Sequence, residues 1–159
     1  MIVKDEEEML PAFLGATRGL YDELCVVDTG SSDNTLGILK QQHVRLGRRP
    51  WDDDFAAARN ASLDLATGEW ILFLDADERP DAASVAAIRA VIEDESVGAA
   101  SLWFDNLLPG GQRNEMPLLR LFRADPAIRF RHRIHEDITA AVEAFLSRKD
   151  LRHTTLEGR

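Results

Sequence analysis

Residues 70–74, Trp-Ile-Leu-Phe-Leu, are apolar at every position and are followed at once by Asp75-Ala76-Asp77. This run predicts a strand covered on both faces, as at the centre of an α/β sheet. Two carboxylates directly beyond it fall at the mouth where open α/β sheets bind ligands. Paired oxygen ligands there suit a hard divalent cation, Mg²⁺ or Mn²⁺, which is commonly shared between carboxylates and phosphates. A plainer reading stands beside this one: Asp75 caps a turn, and Asp77 and Glu78 are solvated.

Around that strand the chain alternates. A helix is expected over 6–20, where Met9, Phe13, Thr17 and Leu20 recur at helical spacing. A buried strand is expected over 24–27, ending at Asp28. A loop rich in helix-capping residues follows over 29–34, then a helix over 35–42 and a brief strand over 44–46. An Ala-rich helix over 55–66 stops at Thr67-Gly68, and Asp81 caps a helix whose apolar stripe is Val85, Ile88, Val91 and Ile92. Strands over 99–104 and 118–122 flank a loop around Pro109-Gly110-Gly111 with no helix between them, which predicts an antiparallel or mixed half. In the tail, Ile138, Val142, Phe145 and Leu146 fit a helix or, equally, an irregular strand and loop.

The chain of 159 residues suits a single domain, and its 19 Lys and Arg against 28 Asp and Glu give a net charge of −9. That charge repels nucleic-acid phosphates and anionic membrane surfaces, so neither is an expected partner. An anionic ligand must be held by a local cation, a metal or aimed N–H groups. Cys25 is the only cysteine, no signal-peptide core follows Met1, and no stretch reaches the roughly 18 apolar residues of a membrane span. A cytoplasmic protein without an integral membrane segment is the expectation.

Several further stretches make the pattern specific. Met1-Ile2-Val3-Lys4-Asp5-Glu6-Glu7, the loop Val26-Val27-Asp28-Thr29-Gly30-Ser31-Ser32-Asp33-Asn34-Thr35, the run Trp51-Asp52-Asp53-Asp54-Phe55 with Ala58-Arg59-Asn60, Ala66-Thr67-Gly68-Glu69-Trp70-Ile71, and Leu74-Asp75-Ala76-Asp77-Glu78 occur in this order. Together they resemble the family-two glycosyltransferases of the GT-A type, in the branch sometimes joined to tetratricopeptide repeats. Arg133-Ile134-His135-Glu136 is similar to a later element of that family. The resemblance implies a GT-A, Rossmann-like α/β fold: a mixed sheet flanked by helices, abbreviated here at both ends. Residues 1–80 would be the nucleotide-binding half and 81–159 an incomplete acceptor half. A short first strand would leave a sheet edge that invites a homodimer.

The resemblance also implies roles. The donor would be a nucleotide-sugar, a UDP-sugar by preference, with Mn²⁺ or Mg²⁺ held by Asp75 and Asp77 and with His135 as a further metal or phosphate contact. Asp28 and Glu6 would bind the nucleotide's base, since a carboxylate accepts from a uracil N–H. Arg59 would reach the ribose or diphosphate; alternatively it pairs with Asp52-Asp53-Asp54. Asn60 would orient the loop or the nucleotide. Trp51 and Phe55 read as core packing. Transfer with inversion needs a carboxylate to take the acceptor's proton. Glu136 is the favoured base, and Asp137 stands beside it. The acceptor, whether glycan, lipid or protein, is not written in the sequence. The basic stretch Arg120, Arg123, Arg129, Arg131 and Arg133 reads as a solvated strand face. His153 is in a region where relatives carry a histidine, but its neighbours through Gly158 depart from their pattern.

Two other readings compete. A degenerate relative could bind nucleotide or a partner without turnover. An apolar strand ending in Asp-x-Asp is also similar to the opening of haloacid-dehalogenase phosphatases, where the first Asp is a nucleophile. Those motifs open the chain and continue with Thr or Val, whereas this one is central and continues Glu78-Arg79-Pro80.

Overall fold

A computed structural model describes residues 1–107 and 110–156. The strands β1 (Ile2–Val3), β2 (Leu24–Asp28) and β3 (Val44–Arg48) form a parallel sheet with β2 in the middle. The helices α1 (Leu10–Ala16), α2 (Thr35–Lys40) and α3 (Phe55–Leu65) follow these strands in turn. A second sheet runs β4 (Trp70–Leu72), β6 (Arg113–Arg123), β5 (Val97–Leu107), β7 (Arg152–Thr155). Its β4/β6 and β6/β5 pairs are antiparallel and its β5/β7 pair is parallel. Helix α4 (Ala82–Ile92) lies between β4 and β5, and α5 (Thr139–Lys149) leads into β7. The α/β class and the mixed second half are as expected, and the β5–β6 hairpin is longer than the apolar runs implied. Pro109 and residues 157–159 lie outside the described residues.

Three expectations are corrected. The helix expected over 6–20 contracts to Leu10–Ala16. Glu6 and Glu7 are drawn out of it, beside Asp5, because the backbone N–H groups of residues 5–7 donate to side chains of residues 31–35: Asp5 to Ser31, Glu6 to Thr35 Oγ1 at 2.7 Å, Glu7 to Asp33. That loop donates back, from Ser32 N–H to Asp5 and from Asn34 N–H to Glu7. Two motifs far apart in sequence are thus one laced structure. Secondly, β4 is at the end of its sheet rather than the centre, and Trp70, Ile71 and Leu72 are half-buried. A cavity of about 470 Å³ borders it, lined by Leu24 and Cys25 of β2 and by Trp70 and Leu72. Thirdly, the tail continues past α5 into β7, an edge strand of mostly exposed polar residues.

Packing fixes the mouth of β4. Beyond the strand, Phe73 N–H still donates to Arg120 O, so the chain stays in register with β6 up to the motif. Leu74 and Ala76 are buried in one apolar cluster with Val3, Leu10, Phe13 and Val26. The intervening Asp75 is partly buried and Asp77 is exposed. The two apolar side chains are thus planted in the core, while the two carboxylates between and after them stay nearer the surface. Asp54 and Asp81 cap α3 and α4 by accepting from Ala57 and Ser84 N–H, contacts worth about 1 kcal/mol each.

Candidate active site

Helix α3 presents Ala56, Ala58, Arg59 and Ser62 to the interior. Three are small, so the helix packs closely, and the fourth carries the charge on which the site is built. Arg59 is 8% exposed. Its two terminal nitrogens donate to Asp75 Oδ1 and Oδ2, each at 3.0 Å, and its Nε donates to Glu136 Oε1 at 2.7 Å. A guanidinium fork matched to a carboxylate in this way is the strong form of the ion pair. The guanidinium carbon stands 5.6 Å from the Phe73 ring centroid and 5.8 Å from that of Phe130, on aromatic walls that orient it. Burial alone would push the Asp75 carboxyl up, but the hydrogen bonds and charge of Arg59 outweigh it and hold Asp75 below the usual range. Arg59 thus pairs neither with Asp52-Asp53-Asp54 nor outward. Arg133 takes the acidic run instead, donating to Asp52 O and Asp53 O.

The turn after β4 is held from inside. Glu78 N–H donates to Asp75 O at 3.1 Å, and Asp75 N–H donates to Glu78 Oε2 at 2.9 Å. The other Glu78 oxygen accepts from Arg120 at 2.5 Å. Glu78 is therefore not solvated. Burial pushes its carboxyl above the ordinary range, with Arg120 offsetting only part. Asp77 has no side-chain hydrogen bond among the described residues and is exposed. Glu6 faces the same mouth: burial, then the negative charges of Asp77 and Asp75, raise its carboxyl.

The donor set fits a divalent cation only in part. Among the described residues, no three His, Cys, Asp or Glu side chains converge as a ready metal cage. Asp75, Asp77 and His135 are not a preformed triad, because both Asp75 oxygens already accept from Arg59. Asp77 is an open carboxylate, and sites of this kind take their remaining ligands from substrate phosphates and water. His135 is exposed, in the left-handed region at φ 56, and shows no side-chain hydrogen bond among the described residues.

The other expected residues divide. Asp28 is 4% exposed and accepts from the N–H groups of Gly30 and Ser31, so it shapes the loop after β2. The Asn60 amide orients a loop: it donates to Phe130 O and accepts from Phe130 N–H, both at 2.9 Å. It fastens the segment leading to Glu136. Glu136 keeps one oxygen, Oε2, without a partner among the described residues. Asp137 is exposed; a hydrogen bond from the Thr139 hydroxyl at 2.7 Å comes first among the causes that hold its carboxyl below the usual range.

The solvated reading of the basic stretch fails for its first members. The Arg120 side chain is 13% exposed. Arg123 donates to Val97 O and lies 4.6 Å from the Trp70 ring centroid. The signal was available: Arg120 interrupts Leu118-Leu119-Arg120-Leu121-Phe122, and a charge within an apolar strand needs a buried partner. Trp51 and Phe55 stack edge-on at 4.6 Å, with Phe55 39% exposed rather than in the core. His153 contacts Ser101 Oγ at 3.0 Å, between neighbouring strands. The cavities of about 470 and 300 Å³ take in none of Asp75, Asp77 or Glu136.

Comparison with known proteins agrees with this architecture. The profile of Glycosyl transferase family 2 matches residues 1–153. A TPR repeat-containing protein of Synechococcus elongatus is 41% identical over 139 residues, covering 86% of this chain and 34% of its own length. The SPbeta prophage-derived glycosyltransferase SunS of Bacillus subtilis is 28% identical over 142 residues, covering 86% and 33%. The chain thus spans about a third of the length of these relatives. Among solved structures, the mannosyltransferase PcManGT of Pyrobaculum calidifontis, in complex with GDP-Man and Mn²⁺, aligns with a TM-score of 0.68 at 19% identity, over 97% of this chain and 52% of its own. TarS 1-349 of S. aureus in complex with UDP aligns at 0.66 and 16% identity, over 99% and 56%. At these identities the likeness speaks for the fold.

Proposed function

Since this chain belongs to Glycosyl transferase family 2, we propose that it transfers a sugar from a nucleoside-diphosphate donor to an acceptor hydroxyl, with inversion and with a divalent cation. The observation carrying this reading is the Arg59 bridge. It brings the strand-end Asp75 and the distant Glu136 into one charged cluster at one mouth.

In this reading Asp77 is the protein's contact to the cation, and Glu6 and Asp28 line the end of the mouth that receives the base. Mn²⁺ or Mg²⁺, when bound, supplies charge neutralisation for the departing diphosphate. The acceptor oxygen forms its bond to the anomeric carbon as the bond from that carbon to the diphosphate oxygen breaks, and the acceptor's proton passes to Glu136 Oε2. Arg59 holds the opposite oxygen of Glu136, leaving Oε2 free to turn toward the acceptor. Asp137 is committed to Thr139 and serves the start of α5. UDP as the base-bearing half, a cytoplasmic setting and a glycan, lipid or protein acceptor belong to this proposal too. The structures named above that carry UDP or GDP-Man lend it the donor class.

The test is hydrolysis or transfer from a panel of UDP-, GDP- and dTDP-sugars, with Mn²⁺ and with chelator, in the wild type and in Asp77→Ala. Turnover that needs Mn²⁺ and is lost in Asp77→Ala is expected. Turnover indifferent to both changes removes the metal assignment, and nucleotide binding with no turnover replaces the enzyme by a binding module.

A further inference from the structure

The pair Glu78–Arg120 has no part in the chemistry described so far, yet it is as enclosed as the Arg59–Glu136 pair, whose side chains are 10% and 17% exposed. Each side chain is 13% exposed. Arg120 comes from β6, where its carbonyl accepts from Phe73 N–H, so the strand ladder fixes the height of its side chain against the motif. Its guanidinium carbon is 4.7 Å from the Phe73 ring centroid and 5.1 Å from that of Phe104. Its Nε is buried without a hydrogen-bond partner. A buried donor left unmatched costs stability. The arrangement gives up that bond while aiming the terminal nitrogen at Glu78.

We propose that Glu78 and Arg120 are positioning residues that set the Asp75–Asp77 turn for cation binding. One Glu78 oxygen accepts from Asp75 N–H, the other from Arg120, and the turn closes by Glu78 N–H to Asp75 O. Three of the four residues of the turn are thus fixed, by this clamp and by burial of Ala76 at 3% exposure. Asp77 is the remaining one, and its backbone direction follows from the others. Orientation of a ligating carboxylate by groups behind it commonly changes metal affinity 10- to 100-fold. The proposal rests on the metal-dependent reading above.

The experiment measures Mn²⁺ binding directly, by the loss of the free-ion paramagnetic resonance signal, with saturating UDP present. Wild type, Arg120→Met, Arg120→Lys and Glu78→Gln are compared, each checked for folding by its urea midpoint. Arg120→Met keeps an apolar stem between the two rings and removes the clamp. Its Mn²⁺ dissociation constant is expected to rise roughly tenfold, and Arg120→Lys, whose ammonium still reaches a carboxylate, to recover part of that. With a sugar-nucleotide donor the loss should appear in the half-saturating Mn²⁺ concentration, while kcat at saturating Mn²⁺ stays within about twofold. If Arg120→Met does not fold, Glu78→Gln decides, with a rise of about threefold or more expected. Wild-type Mn²⁺ binding that is unchanged in a folded variant overturns the positioning role and leaves the metal reading standing. A wild type that binds no Mn²⁺ with UDP overturns both.

Discussion

Arg59 holds both oxygens of Asp75, each at 3.0 Å, from the buried face of helix α3, which starts at Phe55, well before the motif in sequence. The carboxylate expected as a metal ligand is here half of an internal ion pair, and the same guanidinium reaches Glu136. Removing it leaves two carboxylates facing each other with no charge between them. Loss of one partner from a buried pair typically costs 3–5 kcal/mol. Asp75 is one-third exposed at its side chain, so Arg59→Met should cost about 3 kcal/mol, read from urea unfolding. Arg59→Lys, which keeps the charge but not the fork, should recover less than half.

Acid should expose the same bond. Asp75 has its carboxyl held below 3.8 in the folded chain, and the unfolded chain returns it to that value. The folded state therefore binds fewer protons. The contribution is fully present above about pH 4 and is lost as pH falls through the lowered folded value. Asp75→Asn should be the less stable protein at pH 7, and the gap between its urea midpoint and that of wild type should close on acidification from pH 4 toward pH 2. A constant gap over that range means the pair does not titrate as described.

How much of this was legible beforehand depends on sequence distance. Local signals held: the apolar run ahead of Asp75, the cap Asp81, and the apolar stripe of α4, of which Ile88 is buried, can all be read within a few residues. The partners of Arg59 could not. Asp75 is 16 residues away and Glu136 is 77, and only the fold chooses between them and the nearby Asp52-Asp53-Asp54. Strand β4 misled because an all-apolar run does not report position in the sheet; at the sheet's end it is only half-buried, packed against the apolar side of α4 and bordering a cavity. Strand β7 gave no signal because Arg-His-Thr-Thr on an exposed edge has neither an apolar run nor a buried alternation.

Asn60 provides a test of how the base segment is carried. Its amide satisfies both the N–H and the C=O of Phe130, six residues before Glu136. Asn60→Ala strands both groups in a partly buried place, at a cost of about 1–3 kcal/mol. Hydrogen exchange should show faster exchange at Phe130 and its neighbours while β5 and β6 stay protected. Uniformly faster exchange throughout would mean that Asn60 supports the whole fold instead.

The assignment of the base separates two adjacent carboxylates by their bonds. Asp137 accepts from Thr139 N–H and from its hydroxyl, ahead of α5, so Asp137→Asn, whose amide oxygen can still accept both, should leave the helix start nearly unchanged and kcat within a few-fold. Glu136 has the free oxygen, so Glu136→Gln should lower kcat about 10²- to 10⁴-fold, the range for loss of a positioned base. Its donor KM should move little, since Gln still accepts from Arg59. Single-turnover rates with a nucleotide-sugar donor check both. If Asp137→Asn takes the large loss and Glu136→Gln the small one, the proton goes to Asp137, and the link from Arg59 to Glu136 holds the segment in place without serving the transfer step.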